Sequence, residues 1–212
     1  MVIAIDGPAG AGKSTVARGV ADALGFTYLD SGAMYRCVAL AAIERGIDIE
    51  DAERLGELAW GLKIGFDGDS IQLDGEPVGG KIRSPRVTIA ASHVSVHPQV
   101  RQAMVKRQRE LIATGRYVAE GRDIGTVVSP DSPLKIFLTA DENERARRRA
   151  ADSGESVAEV REAMRDRDRR DQARADSPLR IAEGSIYIDT TDSTPDQVVQ
   201  RIAELAREQG IA

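Results

Sequence analysis

Short apolar runs alternate with amphipathic segments along most of the chain. Val2 to Ile5 is a continuous apolar run with β-branched residues, and it ends at a glycine-rich turn, which predicts a strand buried on both faces. Apolar residues then recur every four positions, which predicts a helix from about Gly12 to Leu24 with Gly25 as its terminator. The chain therefore begins with a strand, a tight turn and a helix.

The next segments repeat this order. "FTYLD" predicts a second strand, and Ser31 is in position to cap a helix that runs through Arg45. Cys37 lies on the inner side of that helix, so we expect it to be a small buried residue. A further helix is predicted from Asp51 to Trp60, with Trp60 as a core anchor.

The pattern changes in the middle of the chain. "LKIGFDGDSIQLDGEPV" alternates polar and apolar residues around two Asp-Gly pairs, which predicts a small antiparallel sheet. Ser84 and Pro85 have the order of an N-cap and a first helical residue, and Pro98 opens a helix to about Thr114. We interpret Ile64 to about Val96 as an insertion.

The alternation of predicted strands and helices resumes after the insertion. "RYVAEG", "PLKIFLTA" and "SIYIDT" predict three more strands, with helices around Asp141 to Ala151 and Ser156 to Arg174 and a capped amphipathic helix at the end. Five strands that alternate with helices predict an α/β fold with a parallel sheet covered on both faces.

Length and composition narrow the possibilities. The 212 residues suffice for one domain with an insertion, and the net charge of −5 argues against a nucleic-acid partner. No apolar run approaches the ~18 residues of a membrane span, so we expect no membrane partner. Cys37 is the only cysteine, which excludes an intrachain disulfide and fits a reducing cytoplasm. We expect a monomer.

A complete phosphate-binding motif follows the first strand. The pattern G-x-x-x-x-G-K-[ST] stands between a buried strand and an amphipathic helix, where its backbone N–H groups can cradle phosphates. We expect Lys13 to reach the outer phosphates of a nucleoside triphosphate and the Ser14 hydroxyl to bind Mg²⁺. The predicted nucleotide-binding residues are Gly7, Pro8, Ala9, Gly10, Ala11, Gly12, Lys13, Ser14 and Thr15.

Three classes of nucleotide-dependent protein have such a motif. A GTPase switch needs an Asn-Lys-x-Asp element, but the single asparagine, Asn143, is followed by Glu144. A motor or transporter ATPase usually has an apolar strand ending in Asp or Asp-Glu, which "YVAEGRDIG" resembles only loosely. A small-molecule kinase, in which arginines bind a second anion, is favoured.

An arginine-rich segment supports this class. Between Arg145 and Arg174 there are ten arginines and seven acidic residues. Helical spacing places Arg167, Asp171 and Arg174 on one face, where they can bind a sugar-phosphate. The alternative is a solvated helix with weak surface ion pairs, which is favoured for Arg165, Arg169 and Arg170.

Several segments together resemble the bacterial cytidylate kinases of the nucleoside monophosphate kinase family. They are "IDGPAGAGKST", "LDSGAMYR", "AASHV", "HPQVRQAMVKRQR", "GRDIGTVV", "KIFLTA" and "RDRDRRDQAR", in order along nearly the whole chain. The resemblance implies a three-layer P-loop kinase fold with a five-stranded parallel sheet, a small antiparallel insertion and a helical lid. It implies transfer of the γ-phosphoryl group of ATP to CMP or dCMP, with Mg²⁺.

The resemblance also implies residue roles. Ser31 and Arg36 belong to the monophosphate site, and Ser92 and Arg101 contact the pyrimidine. Arg122 is a phosphate ligand and Asp123 a base ligand, which suits cytosine because a carboxylate accepts from its amine. Arg167 and Asp171 contact sugar hydroxyls, and Arg174 contacts phosphate. Lys13, Arg122 and Arg174 are the expected catalytic residues.

The expected organisation is one kinase domain. Its core comprises residues 1–63, 97–148 and 166–212, its monophosphate-binding insertion about 64–96, and its lid about 149–165. A kinase acting on UMP or shikimate, and a regulatory module that binds nucleotide without catalysis, are the alternatives. Glu120 has two open interpretations, as a Mg²⁺ ligand through water or as a structural residue.

Overall fold

The computed structural model describes residues 1–68 and 70–211. Within these residues the strands are β1 (Val2–Asp6), β2 (Thr27–Asp30), β3 (Ile64–Asp67), β4 (Ser70–Leu73), β5 (Glu76–Pro77), β6 (Tyr117–Gly121), β7 (Leu134–Thr139) and β8 (Ile186–Asp189). The helices are α1 (Lys13–Leu24), α2 (Ser31–Glu44), α3 (Ala52–Gly61), α4 (Pro85–Val94), α5 (Pro98–Ile112), α6 (Glu142–Ser153), α7 (Val157–Ala173) and α8 (Pro195–Glu208), with a 3₁₀ turn at Lys81–Arg83 and a π-helical turn at Ile124–Val128. Residue 69 of the predicted insertion and residue 212 of the predicted core lie outside the described residues.

The chain divides into two compact units. The first unit comprises Met1–Leu29 and Ile112–Ala212, and the second unit comprises Asp30–Leu111. The second unit is longer than the insertion expected at 64–96, and the boundaries given for insertion and lid stay predictions.

The first unit is built on a parallel sheet. In the described part of the chain, five strands form it in the order β2-β6-β1-β7-β8. Strand β1 pairs in parallel with β6 and β7, with Ile3 opposite Val118 and Leu134, and β8 pairs in parallel with β7. Every residue of β1 is buried, as expected for a central strand covered on both faces. The predicted five-stranded parallel sheet is confirmed.

Helices α1 and α8 supply the main core of this unit. Val20 of α1 and Ile202 of α8 belong to one buried cluster with Ile5 of β1 and Ile136 of β7. Burial of each such side chain contributes about 1.5–3 kcal/mol. This packing fixes the carboxyl end of β1, which is where the phosphate-binding loop begins.

The second unit contains α2 to α5 and the antiparallel sheet β3-β4-β5. The prediction for Ser84 is confirmed, because its hydroxyl accepts a hydrogen bond from Val87 N at 3.4 Å and caps α4. The prediction that Ser31 caps α2 was wrong. Asp30, one residue earlier with an extended backbone, accepts from Ala33 N at 2.8 Å, and Ser31 is already the first helical residue.

Two side chains of this unit have contrasting surroundings. Cys37 is fully buried, as predicted, and burial raises the pKa of its thiol to about 12. The prediction of Trp60 as a core anchor was wrong, since the side chain is 48% exposed and the Lys106 ammonium lies 5.3 Å from its ring centre. Helix α3 buries Leu55 and Leu58 instead.

Candidate active site

The loop between β1 and α1 has the shape of a phosphate cradle. A Cβ on Gly7 would lie 2.0 Å from the carbonyl oxygen of Leu138, so only glycine lets β1 turn this closely past β7. Gly10 has φ of +73°, a left-handed conformation that glycine adopts without strain. Helix α1 starts at Lys13 with no acidic residue in its first turn, so its positive N-terminal end remains available for an anion.

Lys13 is folded back onto this loop. Its side chain is buried, and Nζ donates a 2.7 Å hydrogen bond to the carbonyl oxygen of Pro8. Burial, helped by the guanidinium groups of Arg122 and Arg167, lowers the pKa of Lys13 to about 7 against the opposing effect of Glu120 and Asp168. These shifts show that several cations converge on one place in the first unit, as a site for a polyanion requires.

This environment predicts proton uptake when a nucleoside triphosphate binds. A pKa lowered to about 7 means that Lys13 loses part of its charge near pH 7.5, whereas bound phosphate oxygens would stabilise its ammonium form and raise its pKa. Binding at pH 7.5 should therefore take up about half a proton or more, and affinity should fall by up to about tenfold per pH unit above pH 7. Calorimetry in buffers of different ionisation enthalpy measures the uptake. Lys13→Met should abolish it, and a wild-type heat independent of buffer would contradict the prediction.

Arg122 and Arg174 meet at one buried carboxylate. Arg122 Nε donates to Asp171 Oδ2 at 2.9 Å, and Arg174 NH2 donates to Asp171 Oδ1. Burial would raise the pKa of Asp171, but Arg122, Arg174 and Arg167 hold it below its usual range. Burial likewise disfavours the charged form of Arg122, yet Asp171 and Asp168 raise its pKa. Both guanidinium groups therefore stay charged and fixed in place.

Only two of the three residues predicted to share one helical face, Arg167 and Asp171, lie within the helix. Helix α7 ends at Ala173, and Arg174 has extended backbone angles just beyond it, so Arg174 does not continue the helical face. It still reaches Asp171 across three residues. The expectation of a solvated surface holds for Arg165 and Arg169, which are 56% and 76% exposed and pair with Glu142 and Asp166.

The sequence patterns did not identify two acidic residues of the first unit, Asp168 and Asp6. Asp168 accepts from Ala9 N at 3.0 Å and from Arg145 NH1 at 2.6 Å. The spacing of the buried positions in α7, Val160, Met164, Asp168 and Asp171, is that of a helical stripe, and it is the signal that could have found Asp168.

Asp6, the second missed residue, supports the turn that holds Arg122 and Asp123. Its carboxylate accepts from Ile124 N at 2.9 Å and from Gly125 N at 2.7 Å. Burial, helped by the nearby Asp123 carboxylate, raises the pKa of Asp6 to about 6 against the opposing effect of the two N–H groups and Lys13. Asp123 itself is buried. Asp6 thus joins the end of β1, next to Gly7, to the segment "GRDIG".

Glu120 has a structural partner. Its carboxylate accepts a 2.6 Å hydrogen bond from the hydroxyl of Tyr28, and its side chain is buried near the carboxyl end of β6, the strand that lies between β2 and β1. This contact favours the structural interpretation of Glu120.

The remaining candidates belong to the second unit. Arg36 donates to Asp30 Oδ2 at 2.7 Å, so the residue that caps α2 also orients this guanidinium. Arg101 is 1% exposed, donates to Ser95 O at 3.3 Å, and lies 5.3 Å from the ring centre of Tyr35. Ser31 and Ser92 are buried. A buried arginine stacked on an aromatic ring is well fixed for contacts to a planar ligand.

The residues near Lys13 are compatible with Mg²⁺. Ser14 is exposed in the first turn of α1, directly after buried Lys13. Among the described residues, no group of three or more His, Cys, Asp or Glu side chains forms a metal site. Mg²⁺ is commonly held by one or two protein ligands together with substrate phosphates, and a hydroxyl in this position fits that mode.

Comparisons with known proteins agree with this picture. A family model described as cytidylate kinase matches residues 3–208. A cytidylate kinase of Caldanaerobacter subterraneus subsp. tengcongensis is 49% identical over 97% of this chain and 94% of its own length, and one of Mycolicibacterium paratuberculosis is 47% identical over 98% and 96%. The solved shikimate kinase of Acinetobacter baumannii, in complex with shikimate, is 17% identical with a TM-score of 0.51 over 100% of this chain and 95% of its own, a similarity of fold.

Proposed function

Because the chain belongs to the cytidylate kinase family, we propose that it transfers the γ-phosphoryl group of ATP to CMP and dCMP in pyrimidine nucleotide metabolism. The observation that supports this most directly is the convergence of cations on the phosphate-binding loop. Arg122 and Arg167 are close enough to Lys13 to lower its pKa, and Asp171 fixes Arg122. Phosphoryl transfer depends mainly on such positioning and charge neutralisation.

The reaction needs no general base. A phosphate oxygen of CMP bonds to the γ-phosphorus while the bond from that phosphorus to the β–γ bridging oxygen breaks, which gives CDP and ADP. The acceptor phosphate already has a charge of about −1.5 to −2, so no hydroxyl must lose a proton. We assign Lys13, Arg122 and Arg174 to the charge that develops on the transferring group.

The remaining substrate contacts are part of this proposal. Arg36 and Ser31 would hold the acceptor phosphate, and Ser92, Arg101 and Asp123 the pyrimidine. Arg167 and Asp171 would contact the sugar. Both carboxylate oxygens of Asp171 accept from arginines, so a sugar hydroxyl would share one of them. The bounds of the insertion, about 64–96, and of the lid, about 149–165, are part of the same proposal.

Cofactor, location and assembly complete the proposal. Mg²⁺, with Ser14 as its ligand from the protein, would supply charge neutralisation on the phosphates. We place the chain in the cytoplasm as a monomer. Within the residues that the structure describes, no helix has the length and apolar character to cross a membrane.

A coupled assay of ADP release tests the function. With ATP as donor, the acceptors CMP, dCMP, UMP, AMP and shikimate are compared at equal concentration. We expect turnover with the cytosine nucleotides to exceed that with the others. A clear preference for an acceptor without cytosine would overturn the base assignment, and ATP binding without acceptor-dependent ADP release would favour a regulatory module.

Asp123→Asn should weaken the choice of base. The carboxylate accepts from the cytosine amine, whereas an amide can also donate to the O4 of uracil, and one good base contact is worth about 1–3 kcal/mol. We expect the CMP-to-UMP ratio of kcat/KM to fall by about 10- to 100-fold, with the KM for ATP nearly unchanged. Steady-state kinetics measures both. Asp131→Asn, on an exposed loop, is the control, and an unchanged ratio removes Asp123 from the base site.

A further inference from the structure

Three groups of Ala9, in the phosphate-binding loop, contact helices α6 and α7: its N–H, its carbonyl oxygen and its methyl group. Its N–H donates to Asp168 Oδ1 at 3.0 Å, and its carbonyl oxygen accepts from Arg145 NH1 at 2.8 Å. Its methyl group belongs to a small buried cluster that is separate from the main core, with Ala146, Ala150, Val160 and Met164. Both backbone polar groups and the side chain of one loop residue are therefore fixed by the same pair of helices.

Asp168 and Arg145 also bind each other. Arg145 NH1 donates to Asp168 Oδ2 at 2.6 Å, and both side chains are only 12–13% exposed. Arg145 Nε donates to the carbonyl oxygen of Ala140 at 3.1 Å, just after β7. Each carboxylate oxygen of Asp168 thus has its own partner, one in the loop and one in Arg145, and the pair is anchored to the sheet.

The next loop residue is packed against the same helices. A Cβ on Gly10 would lie 2.6 Å from Met164 Cε and 3.1 Å from the carbonyl oxygen of Arg145. Gly10 therefore passes close to both helices, on the side where any other residue would place its Cβ.

We propose that Asp168 and Arg145 are positioning residues for the ATP site, which act by holding the phosphate-binding loop at Ala9. The inference rests on the proposed function in that ATP is taken as the ligand of this loop. Backbone N–H groups that are already aimed at a phosphate need no reorganisation when the ligand binds. Loss of the bridge should therefore weaken ATP binding while it leaves acceptor binding largely intact.

The test compares Asp168→Ala, Asp168→Asn and, as a matched control, Asp166→Ala, whose side chain is 51% exposed on the same helix. We expect Asp168→Ala to raise the KM for ATP about tenfold, as loss of a hydrogen bond to a charged group implies, with the KM for CMP within about twofold. Asp168→Asn should have a smaller effect, because its amide oxygen still accepts from Ala9 N. Asp166→Ala should resemble the wild type.

Hydrogen exchange of the Ala9 amide, followed by NMR without nucleotide, is the second measurement. We expect exchange to become at least about tenfold faster in Asp168→Ala and to change little in Asp168→Asn and Asp166→Ala. This readout needs no substrate, so it tests the inference even if the wild type fails to phosphorylate CMP, which would overturn the proposed function alone.

Several results would overturn the inference. They are an unchanged Ala9 exchange rate in Asp168→Ala, an unchanged KM for ATP in that variant, or an equal rise in the KM for ATP and CMP. If Asp168→Ala does not fold, Arg145→Lys takes its place, since lysine keeps the charge but lacks the guanidinium fork whose Nε bonds Ala140 while Nη1 bonds Ala9 and Asp168. A KM for ATP raised about threefold in that variant supports the inference, and an unchanged value contradicts it.

Discussion

Lys13→Ala is expected to lower kcat for CMP phosphorylation by about 10³-fold or more. Negative charge moves toward the leaving ADP oxygens as the γ-phosphoryl group is transferred, and Lys13 is the cation that follows the phosphate-binding glycines directly. Its Nζ donates to the carbonyl oxygen of Pro8, and we expect the lysine to exchange this bond for phosphate oxygens when ATP binds. Single-turnover kinetics with saturating ATP and CMP measures the loss in the transfer step itself.

A matched control is available for this variant. Lys81→Ala removes a lysine that is 68% exposed in the second unit and should leave kcat unchanged. Circular dichroism should show the same helix content in wild type and both variants. A folded Lys13→Ala protein that retains more than about a tenth of wild-type kcat would remove Lys13 from the catalytic group.

Asp171→Ala is expected to lower the free energy of unfolding by about 3–5 kcal/mol. The Asp171 side chain is 1% exposed, and its removal leaves Arg122 and Arg174 charged and buried without their shared carboxylate. Activity should fall as well, because both arginines lose the group that orients them. Urea unfolding at pH 7, followed by circular dichroism, measures the loss of stability.

The same variant has a defined pH dependence. The pKa of folded Asp171 lies below its usual range, so the ion pairs contribute fully above the unfolded pKa of about 3.9. Their contribution is lost as the pH falls through the folded-state value, and the difference between wild type and Asp171→Ala should shrink in acid. Asp166→Ala should cost little at any pH. A loss under about 1 kcal/mol at pH 7 in Asp171→Ala would show that the cluster tolerates the missing carboxylate.

The fold could be predicted because its signals are local. The apolar run before "DGPAGAG", the Asp-Gly turns and the Ser84-Pro85 cap each specify an element through neighbouring residues, and the structure has those elements. The cap of α2 was misplaced by one residue because Asp30 and Ser31 are both good capping residues, and only the backbone conformation decides between them. Trp60 was misjudged because the pattern of α3 does not show that a cation, Lys106, covers its ring.

The site was predictable only in part. The phosphate-binding loop is continuous in sequence, so its motif identifies it. Asp6 and Asp168 act on partners 118 and 159 residues away, and no local pattern reports such contacts. Asp168 also lies among many charged residues of α7, and nearby Asp166 is exposed. Only the helical spacing of the buried positions, which begins with Val160 and Met164, distinguishes buried Asp168 from exposed Asp166.

The exposed position of Trp60 decides which optical methods suit this protein. The chain has one tryptophan, and its indole is already in contact with water in the native state. The wavelength of its fluorescence emission maximum should therefore change little when the chain unfolds. That wavelength would be an insensitive measure of the stability lost in Asp171→Ala. Changes in its intensity would instead follow the nearby ammonium of Lys106, which makes the indole a native reporter of the surface shared by α3 and α5.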